Sequence, residues 1–225
     1  AIDWNRNYAV IYEWLKGVIA ARCDGNGLAT FADFEKRGFR GLYVVASNLM
    51  KRQAEVFSAK TTPGVAVADA IRMSISIPLF FAAMRFDGRR LGRGDLYVDG
   101  GVYNNYPIRL FDVKKYAEGN PWYRNGINWE TLGCFLYPQH DGGELSQEPE
   151  NLRAYIRAVL ANIYDAYQVM IFQNSWIEQR RTIKIPDCGV AAIEFDVGPS
   201  SAKYGELIES GRRATREYLR RQSLS

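Results

Sequence analysis

Between Tyr97 and Pro107 the chain reads Tyr-Val-Asp-Gly-Gly-Val-Tyr-Asn-Asn-Tyr-Pro, and no other stretch of its 225 residues restricts the fold as much. A short apolar run enters a carboxylate, two glycines follow, and Pro107 stands where a helix can begin. The pattern predicts a strand that ends by presenting Asp99 at its C-terminal edge. Gly100 and Gly101 can take backbone angles closed to other residues, which lets the chain turn sharply behind the carboxylate. Open α/β sheets place their chemistry in crevices at such strand ends. Taken alone, the tripeptide has two readings: a catalytic carboxylate, or an acidic residue that caps a turn.

The rest of the chain supplies the scaffold for such a strand. Leu42–Asn48 is apolar and β-branched, as expected of a buried central strand, and Glu55–Ser58 reads as its hairpin partner. Helical spacing of Tyr8, Ile11, Tyr12, Leu15 and Ile19 predicts a helix over Asn7–Ala21. A short helix is expected from Thr30, another over Ala66–Ser76, and one from about Pro107, where a proline fits the first turn. Leu132–Tyr137 and Arg181–Ile185 read as strands, and Glu150–Gln173 as a long amphipathic helix. Ser200 or Ser201 caps a final helix running to about Arg221, with Tyr204, Leu207, Ile208, Gly211 and Tyr218 facing inward. Leu42–Ala46, Leu96–Val98 and Leu132–Leu136 are expected in one sheet, interleaved with helices.

Composition narrows the function. With 47% hydrophobic and 24% charged residues, the chain can bury the core of one domain spanning residues 1–225. No apolar run approaches the roughly 18 residues that cross a bilayer. A net charge of +4 is a mild excess. It lacks the basic stripe of a nucleic-acid binder, so no nucleic-acid partner is expected, whereas peripheral contact with an anionic membrane suits it. Lys51, Arg52, Arg85, Arg89, Arg90 and Arg93 lie in loops where they either meet lipid phosphates or are simply solvated. Cys23, Cys134 and Cys188 are too dispersed for a disulfide framework or a zinc site. The single histidine, His140, lies in a polar loop with no nucleophile beside it, and one imidazole does not suggest a metal centre. Asp141-Gly142-Gly143 repeats the tripeptide, but no apolar strand leads into it.

Two blocks in order carry a resemblance. Ala70-Ile71-Arg72-Met73-Ser74-Ile75-Ser76-Ile77-Pro78 precedes Val98-Asp99-Gly100-Gly101, with Asn104, Asn105 and Pro107 behind. This pairing closely resembles the patatin-like phospholipase family. Agreement extends to Glu130–Gly133, Arg181–Ile185, Phe195-Asp196 and Leu207–Gly211. The family's glycine-rich oxyanion loop and its G-x-S-x-G nucleophile motif are absent from these 225 residues. The expectation is therefore the C-terminal part of a patatin domain, with the N-terminal segment outside this chain.

The resemblance implies a three-layer α/β/α fold with a mostly parallel central sheet. It implies a lipid acyl hydrolase of phospholipase A type, acting on phospholipid or other acyl lipids. In the family a Ser–Asp dyad does the chemistry, so Asp99 becomes the base, Gly100 and Gly101 position it, and the serine lies outside the chain. No metal or organic cofactor is implied, and the chain alone is expected to be inactive. The alternative is a non-catalytic patatin-like module that binds lipid or a protein. A cytoplasmic or membrane-peripheral location is expected.

Overall fold

The computed structural model describes residues 4–78, 80–137, 150–152, 154–156, 158–159, 162–163, 175–190 and 197–223. These residues form two compact units, 1–106 and 107–225, although no linker-like composition marks the boundary at Tyr106-Pro107.

The first unit opens with α1 (Trp4–Ala20) and α2 (Phe31–Lys36). Thr30 and Asp33 form a reciprocal capping box at the start of α2, each side chain accepting the other's backbone N–H. Next come β1 (Tyr43–Asn48), β2 (Gln53–Ser58), α3 (Val67–Ser74), β3 (Met84–Phe86), β4 (Asp95–Asp99) and α4 (Gly101–Asn104). The strands make one sheet in the order β2-β1-β4-β3. β1 lies inside it, as its apolar run predicts.

Strand direction differs from the expectation. All three pairings in this sheet are antiparallel, where a mostly parallel sheet was expected. For two of them the cause is connection length: four residues join β1 to β2 and eight join β3 to β4, too short for the crossover a parallel pair needs. The core beneath the sheet takes Ile19 from α1, Cys23 from the turn after it, Phe31 from α2 and Met73 from α3. Phe57, Phe86 and Tyr97 pack edge-to-face, with ring centroids 5.7–6.0 Å apart.

The second unit begins with two short 3₁₀ turns, Ile108–Phe111 and Lys114–Tyr116. The helix expected from Pro107 is therefore only a single turn. A small hairpin follows, β5 (Tyr123–Arg124) with β6 (Ile127–Asn128). Then β7 (Gly133–Tyr137) pairs in parallel with β8 (Thr182–Pro186), which α5 (Trp176–Arg180) precedes. Among the described residues this pair is a two-stranded sheet, where the Leu132–Leu136 run was expected in one sheet with the other two. Only Phe135 of β7 is buried, with Cys134 and Leu136 exposed, so one face alone is covered.

The chain closes with α6 (Ala202–Ser223). Ser201 caps it, its hydroxyl accepting from Tyr204 N–H at 3.2 Å. Ser210 and Ala214 are its buried residues, whereas Tyr204 and Ile208, expected inside, are exposed. Of the Glu150–Gln173 helix, residues 152, 154–156, 158–159 and 162–163 are helical. Glu150 and Asn151 are not helical, and the rest of that stretch, His140, the Asp141 tripeptide and Phe195-Asp196 lie outside the described residues.

Candidate active site

Asp99 is the last residue of β4, and the structure fixes it from three sides. Its register partner across the sheet is Ala46 of β1. Its N–H donates to the Ser76 carbonyl at 2.9 Å, and Gly100 N–H donates to the Ser74 carbonyl at 3.3 Å. The two blocks separated in sequence thus meet through backbone bonds: the segment closing α3 receives the N–H groups of the Asp-Gly step. Buried Ser47 of β1 supplies the third hold. Its hydroxyl donates to the Gly100 carbonyl and accepts from Tyr103 N–H, both at 3.2 Å.

The glycine pair works differently from the expectation. Gly100 lies at φ −58°, ψ −30°, right-handed angles open to any residue, and Gly101 begins α4 directly. Space is the constraint, not backbone angle. A Cβ on Gly100 would stand 2.3 Å from the Val45 carbonyl oxygen, so only glycine allows the turn to approach β1 so closely. Asn104 and Asn105, just behind the turn, make no side-chain bond to it among the described residues, and Ser47 does that work. Sequence reading missed Ser47 because a serine near the end of an apolar strand carries no local signal of a partner 53 residues away.

The Asp99 carboxylate is half-buried. Its Oδ1 accepts from Gly101 N–H at 2.8 Å, while Oδ2 makes no hydrogen bond among the described residues. Burial pushes the carboxyl above its ordinary value, and the bond from Gly101 offsets this only in part. The result is a carboxylate that holds protons better than one in water and keeps one oxygen uncommitted. Such a group can act as a general base toward a hydroxyl brought within hydrogen-bond reach.

Several other polar side chains have structural partners. Asn48 joins β1, β2 and β4, its Nδ2 lying 3.1 Å from Glu55 Oε1, 2.9 Å from Asp95 Oδ2 and 3.0 Å from the Tyr97 hydroxyl. Lys51 pairs with Glu55 at 2.9 Å. The Arg85–Arg93 loop winds about Asp87, which accepts from Arg89 N–H, Arg90 N–H and Arg93 Nε. These bonds, that from Arg90 foremost, hold the Asp87 carboxyl down at about 2. Buried Asp69 accepts from the Tyr12 hydroxyl, tying α3 to α1. Among the described residues no three His, Cys, Asp or Glu side chains group as a metal site, and no helix is long and apolar enough to cross a membrane.

The model of the patatin-like phospholipase family matches residues 3–112, a span that contains β1, α3, β4 and Asp99. Over that span the chain is patatin-like. Over 194 residues, the patatin-like chain is 41% identical to Uncharacterized protein R571 of Acanthamoeba polyphaga mimivirus, covering 84% of itself and 57% of that protein. It is 32% identical over 92 residues to a protein of Invertebrate iridescent virus 6 named "Probable lipid hydrolase 463L", covering 40% of itself and 29% of the relative. With Uncharacterized protein YqhO of Bacillus subtilis it shares 26% identity over 219 residues, 93% of itself and 65% of the other. The chain thus spans less than two thirds of each of these relatives. Among solved structures, VipD from Legionella pneumophila shares the fold, with a TM-score of 0.51 at 19% identity over 86% of this chain and 35% of that one.

Proposed function

We propose that this chain is the aspartate-bearing part of a serine acyl hydrolase of lipids, with Asp99 as the general base of a Ser–Asp dyad. The carrying observation is the Asp99 carboxylate itself: half-buried, raised in proton affinity by that burial, and with Oδ2 uncommitted among the described residues. The patatin-like match over residues 3–112 and the relative named as a lipid hydrolase support an acyl-lipid substrate.

In this reading the nucleophilic serine and the oxyanion donors come from residues outside these 225. The serine hydroxyl passes its proton to Asp99 Oδ2 as its oxygen attacks the ester carbonyl. That proton then goes to the departing alcohol of the lipid, leaving an acyl-serine. Water releases the fatty acid in a second round, with Asp99 again taking and returning a proton. Gly100 and Ser47 hold the carboxylate at the strand end throughout.

The test is acyl-ester release by the complete protein and its variants. Asp99→Asn keeps the shape of the side chain but cannot take a proton at neutral pH. It lowers turnover about 10²–10⁴-fold, the range expected for loss of general-base catalysis. Asp141→Asn, in the second Asp-Gly-Gly, leaves turnover unchanged. Full activity in Asp99→Asn overturns the dyad and favours the second reading, a non-catalytic lipid- or protein-binding module. That reading draws on one fact: no serine of this sequence has glycine both two residues before it and two after.

A further inference from the structure

Within residues 107–225 a cavity of about 380 Å³ is lined by three indoles and three guanidinium groups, from Trp122, Trp129, Trp176, Arg124, Arg180 and Arg181. No carboxylate lines it among the described residues. The wall is firmly built. Trp129 and Trp176 stand with ring centroids 6.3 Å apart, and the Arg181 guanidinium lies 6.0 Å from the Trp129 ring centroid. Arg124 Nε donates to the Pro121 carbonyl at 3.1 Å. From α6, the Tyr218 hydroxyl and Gln222 Nε2 both donate to the Arg180 carbonyl, at 3.0 and 3.2 Å. That pair of bonds holds α6 to the end of α5.

Three observations point to a ligand. First, the charge is unbalanced. Asp112 matches Arg181 through two bonds, of 2.7 and 2.9 Å, but Arg124 and Arg180 form no ion pair with a described residue. Second, Arg181 is fully buried, and its Nε has no hydrogen-bond partner among the described residues. An unsatisfied donor on a buried cation is costly. Sealed from solvent, it is not itself in reach of a ligand, but it leaves positive charge behind the cavity wall that an anion in the cavity would offset. Third, Trp122 and Trp176 are 57% and 63% exposed. Indoles left in water around a concave, cationic surface give up burial that a ligand would restore.

The lining dictates the ligand's chemistry. Guanidinium groups favour a carboxylate or phosphate, which accepts their parallel N–H bonds. Indole faces favour an apolar body beside that head. The volume lies at the low end of small-molecule sites, about 300–1,000 Å³, which suits one alkyl chain rather than two. We propose that this cavity binds a single-chain anionic amphiphile, its carboxylate or phosphate held by Arg124 and Arg180 and its chain laid against the tryptophans. The proposal stands apart from the Asp99 reading, because binding is measured without turnover.

The test is calorimetric titration of the intact protein, with tryptophan fluorescence as the second readout. The probes are decanoate, decyl phosphate, decanol and inorganic phosphate, all below micellar concentrations. Saturable one-to-one binding is expected for at least one of the two alkyl anions. Decanol, lacking the charge, and inorganic phosphate, lacking the chain, bind about tenfold more weakly or worse. The tighter of the two alkyl anions tells whether the natural head is a fatty-acid carboxylate or a lipid phosphate, and either result supports the site. Arg124→Gln with Arg180→Gln, and separately Trp176→Ala, each weaken binding about tenfold or more while circular dichroism is unchanged, since all three side chains are exposed. Absence of saturable binding by both alkyl anions overturns the proposal. So does decanol binding as tightly as the anions, affinity undiminished in the double arginine variant, or association seen only with lipid vesicles.

Discussion

At the scale of single residues, the environment that suits Asp99 to accept a proton also weakens the fold that carries it. Burial raises its folded-state value above the ordinary 3.8. A carboxyl shifted in that direction stabilises the fold when protonated, fully so below the unfolded value. That contribution disappears as pH rises through the folded value. At neutral pH the ionised group is therefore a burden. Asp99→Asn carries no charge at any pH, and its Oδ1 can still accept from Gly101 N–H. The variant should melt at a higher temperature than the parent at pH 7, with the gap narrowing as pH falls toward 3.8. Asp69, also raised by burial, is common to both proteins and cancels in the comparison. Thermal melts of the pair at neutral and acidic pH make the measurement. A variant less stable than the parent at pH 7 would show that the ionised carboxylate is favourably solvated after all.

Between elements, the clearest structural device in the second unit is the Arg181–Asp112 pair. Arg181, just before β8, reaches Asp112, which follows the first 3₁₀ turn, and also donates to the Asn128 carbonyl of β6 at 2.9 Å. The side chains of Arg181 and Asp112 are 1% and 10% exposed. Removing one partner strands the other charge in the interior. Asp112→Ala should cost about 3–5 kcal/mol, whereas replacing both residues with apolar side chains of similar volume should cost much less. Urea unfolding of the single and double variants checks this, and a double variant as unstable as the single one would contradict it. The Arg181-Thr182-Ile183 segment is readable as a strand from its alternation, but not its anchoring role. Nothing local to Arg181 announces a carboxylate 69 residues earlier. Likewise Leu132–Leu136 reads as a buried strand, yet its partner, direction and single covered face depend on β8, which follows a long intervening stretch.

For the molecule as a whole, the absence of G-x-S-x-G from the sequence leads to a prediction about the chain by itself. The 225-residue chain, assayed alone against phospholipid and soluble esters, should release no fatty acid, because Asp99 has no activated hydroxyl to deprotonate. Robust turnover would identify a nucleophile other than the proposed serine. Elements with strong local signals were legible in the sequence: the periodic α1, the apolar β1, the short helix from Thr30, the serine-capped α6, and the strand that ends at Asp99. Each rests on interactions within a few residues, which a linear pattern records. Strand direction, the parallel pairing of β7 with β8, Ser47 as the clasp on the turn, and the Trp–Arg cavity all required the tertiary structure. So did the reason for Gly100, which is the Val45 carbonyl 2.3 Å from where its Cβ would stand. These depend on contacts between segments tens of residues apart, where the energy of a residue's position lies in its neighbours in space and not in its neighbours along the chain.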